Sequence, residues 1–388
     1  MKKTFLKIAV LAAFVSVLLT SCGDIFGQKN PSGGGNNNSG ENNNSGNGSE
    51  EVSTYKAGDV ALESITIGDK TFEKTGEVYA TAKSGVTIEG KIYDDFLGVF
   101  KKGRTVKLSS FIIGKYEVTQ ELYTAVMTDQ TVTVGEDSYT LDATPFLCDG
   151  VDEDYPLKSG ETQKLRAAEC ITWFDAVYFC NLLSEKTGLN KAYNIEITDV
   201  DDSNNHITAG IVTLVKNSNG YRLPTEAEWE FAARGGNPAD EEWDYVFSGA
   251  GGTDSAYNKQ QHVGLDSVGW YRYNSATGAT GDAAPTFGDV GYGTHEVGKK
   301  SANSLGIYDM SGNVYEWCYD WFDSYISSSE TVTNPKGADT GTYRVCRGGD
   351  WTDVAYCCSV RYRDTLHSTA TPEHRNGGLG FRLVRSAD

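Results

Sequence analysis

The first pattern along the chain is a single apolar run. Phe5 to Leu19 is apolar apart from Lys7 and Ser16, follows the basic start Met1-Lys2-Lys3-Thr4, and is too short and too abruptly ended to span a membrane. It reads as an export signal covering residues 1–21. From 28 to 53 the sequence QKNPSGGGNNNSGENNNSGNGSEEVS offers no aliphatic side chain before Val52, so nothing offsets the entropy of folding and the segment reads as a tether. A Gly/Asn/Ser coil of this length has a root-mean-square span of roughly 25 to 30 Å. From Thr54 to about Leu108, short alternating runs such as Val86-Thr87-Ile88 and Val106-Lys107-Leu108 predict β-strands.

Three helices follow, each opened by a threonine. Thr119 is placed to cap a stretch in which Leu122 and Val126 share a face with Tyr123 and Met127 beside them. Thr172, three residues before Asp175, resembles a capping box; Phe174, Val177, Tyr178 and Leu182 make the apolar face, and Gly188 ends the helix. Thr225-Glu226-Ala227-Glu228 is a second box, opening a shorter helix through Trp229 and Phe231 to Gly235-Gly236. Beyond it, glycines, aromatics and short strands dominate with no long periodic run. The order of elements predicts an α+β fold, loop-rich, with short strands and a few helices, whose irregular segments are pinned by buried aromatics.

Composition narrows the function. The formal net charge is −19, and −22 once Lys2, Lys3 and Lys7 leave with the signal, which argues against a nucleic-acid partner or an anionic lipid surface held by bulk charge. Cys148, Cys170, Cys180, Cys318, Cys346, Cys357 and Cys358 remain when Cys22 is set aside. None shows the paired spacing of a zinc site, and an odd number in contexts as apolar as those of Cys180 and Cys318 predicts no dense disulfide framework. Among only five histidines there is no Ser/His/Asp or HExxH pattern.

Leu19-Thr20-Ser21-Cys22 closes the apolar run and resembles the bacterial lipobox, which implies lipidation at Cys22, a tether over residues 22–53 and a folded domain over 54–388. It implies a cell-envelope protein, at the outer membrane and surface-exposed, that meets the membrane through its anchor only. Within the domain, YEVTQELYTAVM (116–127), TWFDAVYFCNLLSEKTGLNKAYN (172–194), GYRLPTEAEWEFAARGG (220–236), NSLGIYDMSGNVYEWCYDWF (303–322), RVCRGGDW (344–351) and GLGFRLVRS (378–386) together resemble the formylglycine-generating enzyme, or sulfatase-modifying factor, family. The resemblance implies a C-type-lectin-like fold and leaves residues 54–108 without a matching motif. Read as residues, the motifs are mostly scaffold: Trp317 and Trp321 are packing groups, and Gly348-Gly349 allow close backbone approach.

The family resemblance carries two metal expectations. Around Asp309-Met310-Ser311-Gly312-Asn313-Val314-Tyr315-Glu316 it implies calcium, with carboxylates from Asp309 and Glu316 and carbonyls from Gly312 and Val314 in an oxygen cage. After the Gly-Gly pair its enzymes hold copper between two cysteines five residues apart, to oxidise a substrate cysteine. Here the second falls on Cys358 and the first on Asp353, a hard ligand where copper(I) prefers two soft thiolates. Cys357 is no simple substitute, since neighbouring side chains on an extended backbone point oppositely. No copper is expected, and the oxidase reading is the alternative rather than the first choice.

The first choice is a binding protein. Residues 347–382 resemble the cassette of the variable proteins of diversity-generating retroelements, with Arg347-Gly348-Gly349, Trp351, Ala355, Cys358-Ser359, Arg363, Arg375 and Gly380-Phe381-Arg382 as the frame. Asparagine codons mutated at their adenines never yield Lys, Glu, Gln, Met or Trp, and between Asp350 and Gly378 those types occur only as Trp351 and Glu373. The resemblance implies that Thr352, Asp353, Val354, Tyr356, Cys357, Arg361, Tyr362, Asp364, Thr365, Leu366 and His367 are displayed towards a protein or glycan ligand. Tyr and Arg give large contact area at low entropy cost, while Thr, Asp and His adapt their hydrogen bonds.

Overall fold

The computed structural model describes residues 64–87, 98–101, 103–251, 262–277, 284–323, 326, 330–363 and 369–387. The export signal, Cys22 and the tether lie outside the described residues, as do Ile88, Asp364, Thr365, Leu366 and His367.

In chain order the strands begin with β1 (Thr66–Ile67), β2 (Lys70–Thr71), β3 (Glu77–Thr87) and β4 (Thr105–Glu117). Helix α1 (Gln120–Met127) is followed by β5 (Thr131–Val134) and β6 (Asp137–Thr140), then α2 (Trp173–Lys186), β7 (Tyr193–Val200) and β8 (Ile207–Leu214). Helices α3 (Glu226–Ala233) and α4 (Val263–Val268) lead to β9 (Tyr315–Trp321), β10 (Thr331–Thr333), β11 (Arg344–Arg347), β12 (Thr369–Ala370), β13 (Leu379–Gly380) and β14 (Arg382–Ser386). This is the expected loop-rich α+β architecture.

Two four-stranded sheets organise it. Strand β4 pairs antiparallel with β3 on one edge, while its other edge takes β10 in parallel at Thr105 to Lys107 and β14 antiparallel from Phe111 to Glu117. The second sheet runs β12-β11-β9-β13. The described residues from 64 to 108 form strands as expected, the short β1 and β2 and then β3 and the start of β4, which are longer than the runs the pattern marks. Register shifts in β3 after Ala80 and Ala82, and a continuous buried run from Ser110 to Ile113 in β4, blur the alternation that would have shown its length.

All three threonine caps form. The Thr119, Thr172 and Thr225 side chains accept from the backbone N–H of Leu122, Asp175 and Glu228. The box at Thr225 is complete, whereas the one at Thr172 is only half formed, because the Asp175 carboxylate accepts from Ile207 N and meets His206 Nδ1 instead of reaching back to the cap.

Strand β9 lies between two cores. Trp317 packs among α1, α2 and Phe381, and its indole N–H donates to Ile171 O at 2.9 Å. The next residue, Cys318, faces the other core with Phe111, Trp229, Phe231 and Val345. A strand period of two sends neighbours to opposite faces, so the sheet that carries β9 and β11 is fixed from both sides. The segment leaving β11 is the cassette.

Candidate functional site

The cassette begins at the end of β11 with Arg347, whose side chain is wholly buried. Its guanidinium donates to Tyr362 O at 2.6 Å, Val360 O at 2.8 Å and Glu230 Oε2 at 3.0 Å, so one side chain ties the start of the loop to its return. Gly348 and Gly349 both have positive φ, and a Cβ on Gly349 would sit 2.7 Å from Cys358 Sγ. Only glycine allows that turn and that approach. The Asp350 carboxylate then accepts from the N–H and hydroxyl of Thr352, each at 2.7 Å. Trp351 is buried: its N–H donates to Asn313 O, its indole to Gly377 O at 2.8 Å, and Tyr155 and Tyr292 pack edge-on against it. Arg363 closes the described part of the loop on Glu226 at 2.7 Å and on Asp323 O.

Between these anchors the sequence-derived display positions divide. Thr352, Asp353, Val354, Tyr356 and Arg361 are partly exposed, with Arg361 reaching Asp244 O at 3.1 Å. Cys357 and Tyr362 are each 2% exposed, which corrects their assignment to a displayed surface. The reason is local. Residues Ala355–Cys358 form a 3-10 turn, so Cys357 and Cys358 do not alternate as on a strand and both point inward. Tyr362 turns its ring edge-on to Tyr356 at 5.4 Å.

The position that would have to be a copper thiolate is Asp353. Burial pushes its carboxyl up to about 6, with the Asp350 N–H that donates to Oδ2 at 3.3 Å drawing it partly back. Burial and then the Asp353 charge hold the Cys357 and Cys358 thiols well above their ordinary range. Cys358 Sγ faces Val354 O at 3.9 Å. One carboxylate beside two protonated thiols is a poor donor set for a soft ion.

The calcium assignment does not fit either. Both Glu316 oxygens are bonded to Arg382, at 2.6 and 2.7 Å, and one also accepts from the Trp229 indole at 2.8 Å. A divalent cation there would confront a buried guanidinium. Asp309 accepts from Gly298 N through Oδ2 and keeps a buried Oδ1 without a hydrogen-bond partner, so the misfit lies at Glu316. The motif is a buried ion pair that joins β9 to β14. Among the described residues no group of three or more His, Cys, Asp or Glu side chains is arranged to hold a metal ion.

Sequence reasoning missed the carboxylates that hold the cassette down. Glu226 and Glu230 lie on α3, are fully buried, and collect Arg347, Arg363 and Arg234 between them. Their signal was present as two acids four apart on a capped helix, with Arg234 four residues after Glu230, but only the fold brings Arg347 and Arg363 to them. Beside them opens a cavity of about 620 Å³ lined by Val99, Arg104, Asp320, Glu330 and Val332, which among the described residues of the cassette meets Arg363 alone.

The sequence profile of the sulfatase-modifying factor enzyme 1-like domain matches residues 70–387. The chain belongs to this family. Within it, the chain is 32% identical over 328 residues to the protein named chaperone protein LppX of Paenibacillus barcinonensis, covering 83% of this chain and 91% of the relative. It is 36% identical over 184 residues to the formylglycine-generating enzyme of Streptomyces coelicolor, a match that spans about half of that enzyme, 52%, and 47% of this chain. Among solved structures, Treponema denticola variable protein 1 superposes with a TM-score of 0.57 at 31% identity, covering 82% of this chain and 98% of that one. The family thus includes similar chains named for catalysis and similar chains that are not.

Proposed function

We propose that this chain is a surface-displayed binding protein, not an enzyme, whose cassette is diversified by a retroelement to vary its ligand. What carries the reading is the contrast within residues 347–363. Arg347 and Trp351 are buried and bonded to distant backbone, while Thr352, Val354, Tyr356 and Arg361 between them keep part of their surface in solvent. A rigid frame with adaptable exposed positions is the physical requirement for changing specificity without refolding. The likeness over most of its length to a variable protein supports this reading, and so does a relative whose name, chaperone, denotes binding. Asp353 in a thiolate position supports the absence of oxidase chemistry.

The ligand is a protein or glycan outside the cell, and lipidation at Cys22 with the tether beyond it holds the domain at the outer membrane surface. With a net charge of −19, nucleic acid is not the partner. Sequencing the coding region across a population tests the proposal. Variation should concentrate at the codons for Thr352, Val354, Tyr356 and Arg361 and spare Arg347, Trp351 and Phe381. Even variation along the gene, or a constant cassette, overturns it, and copper-dependent turnover of a CxPxR peptide by the purified chain would restore the oxidase reading.

A further inference from the structure

Away from the cassette, one indole collects more charge than its fold requires. Trp270 follows α4 and is 6% exposed. The His295 imidazole stacks on one of its faces, 3.8 Å between ring centres and 15° between planes. A face covered that closely leaves no room for an ammonium, so the two that approach the ring share the opposite face. These are Lys300 Nζ at 3.8 Å and Lys158 Nζ at 4.2 Å from a ring centre.

Cation–π attraction explains one lysine on such a face. It does not explain two, because like charges crowded over one ring repel each other. The crowding is felt at Lys300, which burial and then the Lys158 charge bring down to about 8, while Lys158 is lowered by burial. Among the described residues neither has a carboxylate at ion-pair distance, and Lys300 donates only to Asp266 O at 2.7 Å. Glu161, Asp266 and Asp309 act on Lys300 through space but hold their hydrogen bonds elsewhere, Glu161 with His295 Nδ1 at 2.9 Å, Asp266 with the Tyr271 hydroxyl at 2.9 Å and Asp309 Oδ2 with Gly298 N at 2.7 Å. The indole N–H of Trp270 is buried and also without a partner.

We propose that Lys158 and Lys300 form a binding site for a doubly charged tetrahedral oxyanion, sulfate or phosphate, seated between their ammoniums over the free face of Trp270. Two compact point charges suit a tetrahedral anion, where a planar carboxylate would call for the fork of an arginine. In so acidic a chain an anion is held here by local geometry and not by bulk attraction. The site is independent of the cassette and stands whether or not the cassette varies.

Calorimetric titration of the full-length chain in detergent, at constant ionic strength, tests this with sodium sulfate, sodium phosphate and a sulfated monosaccharide. Wild type should bind one anion per chain with a dissociation constant below about 1 mM. Lys158→Met and Lys300→Met, which keep an apolar stem over the ring, should each weaken binding by about tenfold or more, since each removes a charge-assisted contact. Lys299→Met is the control, because Lys299 already pairs with Glu296 at 3.2 Å, and it should leave affinity unchanged. Equal affinity for the inorganic anion and the sugar sulfate indicates a free anion as the occupant, and tighter sugar binding indicates an anionic group on a larger ligand. No saturable binding of any probe to wild type, or affinity unaltered in both variants, overturns the site.

Discussion

Truncating Phe381 measures how firmly the cassette frame is built into the core. The ring is wholly buried, edge-on to Phe179 at 5.2 Å and to Tyr123 at 6.4 Å, and those two rings stack on each other at 5.4 Å. The Phe381 carbonyl also accepts from Val118 N, so the backbone cannot easily shift to fill a void. Phe381→Ala should therefore cost about 3 to 5 kcal/mol, the transfer term plus an unfilled cavity. Tyr362→Ala, now placed on the buried side, should cost about 2 to 4 kcal/mol. Single alanine substitutions at Val354, Tyr356 and Arg361 should each stay within about 1 kcal/mol, because the Arg361 bond to Asp244 O is exposed and the Tyr356 ring is only partly covered, while Thr352→Ala, which removes a part-buried bond to Asp350, should stay within about 2 kcal/mol. Urea denaturation followed by tryptophan fluorescence, with the slope unchanged between variants, reports the differences. If any of the four exposed positions costs as much as Phe381, or if Phe381→Ala is harmless, the division into frame and display is wrong.

Arg347→Met should destabilise by about 3 to 5 kcal/mol, since it strips the Val360 and Tyr362 carbonyls of their donor and leaves part of the buried Glu230 charge uncompensated; limited proteolysis should then cut within the cassette, and a resistant variant would refute the tie. Glu169 is buried, accepts from Leu147 N and Cys148 N, and burial raises its carboxyl to about 7. A raised acid pKa means the folded state binds the proton more tightly, so its contribution is full below the ordinary carboxylate pKa and is lost as pH rises through about 7. Stability measured from pH 4.5 to 7 should fall by up to about 3 kcal/mol more steeply in wild type than in Glu169→Gln, and parallel slopes would refute the assignment. Cys22→Ser should release the protein from membranes into the soluble fraction, and palmitate that never labels wild type would exclude the anchor.

Helices α1, α2 and α3 were legible because each combines a threonine cap with an apolar face, and both signals are local; α4, six residues long and capped by His262, was not. Strand β4 was only partly so, since burial on both faces from Phe111 to Ile113 removes the alternation that marks a strand edge to edge. In the cassette, Trp351 and Phe381 were recognisable as frame and are buried. The direction of Cys357 was not, because it depends on whether the backbone is extended or turned at Ala355, and nothing in Ala-Tyr-Cys-Cys decides that. Glu226 and Glu230 were visible only as helix residues. Arg234 is a local partner four residues after Glu230, but Arg347 and Arg363 lie more than a hundred residues away, and pairing at that range is set by the fold.

The buried members of the cassette bear on how far it can vary. A position that points inward is constrained by the volume around it, and overpacking a filled site costs about 1 to 3 kcal/mol. Cys357 lies 2% exposed under a turn, so side chains much larger than cysteine would push against Asp353 and Tyr362, whereas Tyr356, one residue earlier, can change size at little cost. Tyr362 fills space that a small residue would leave empty. On the proposed reading, diversity arising in the coding sequence would be filtered twice, first by folding at the inward positions and only then by ligand at the outward ones. On that reading the binding repertoire would be set by Thr352, Val354, Tyr356 and Arg361 among the described residues, while the inward carboxyl of Asp353 and the side chains of Cys357 and Tyr362 would set which of those combinations the frame can carry.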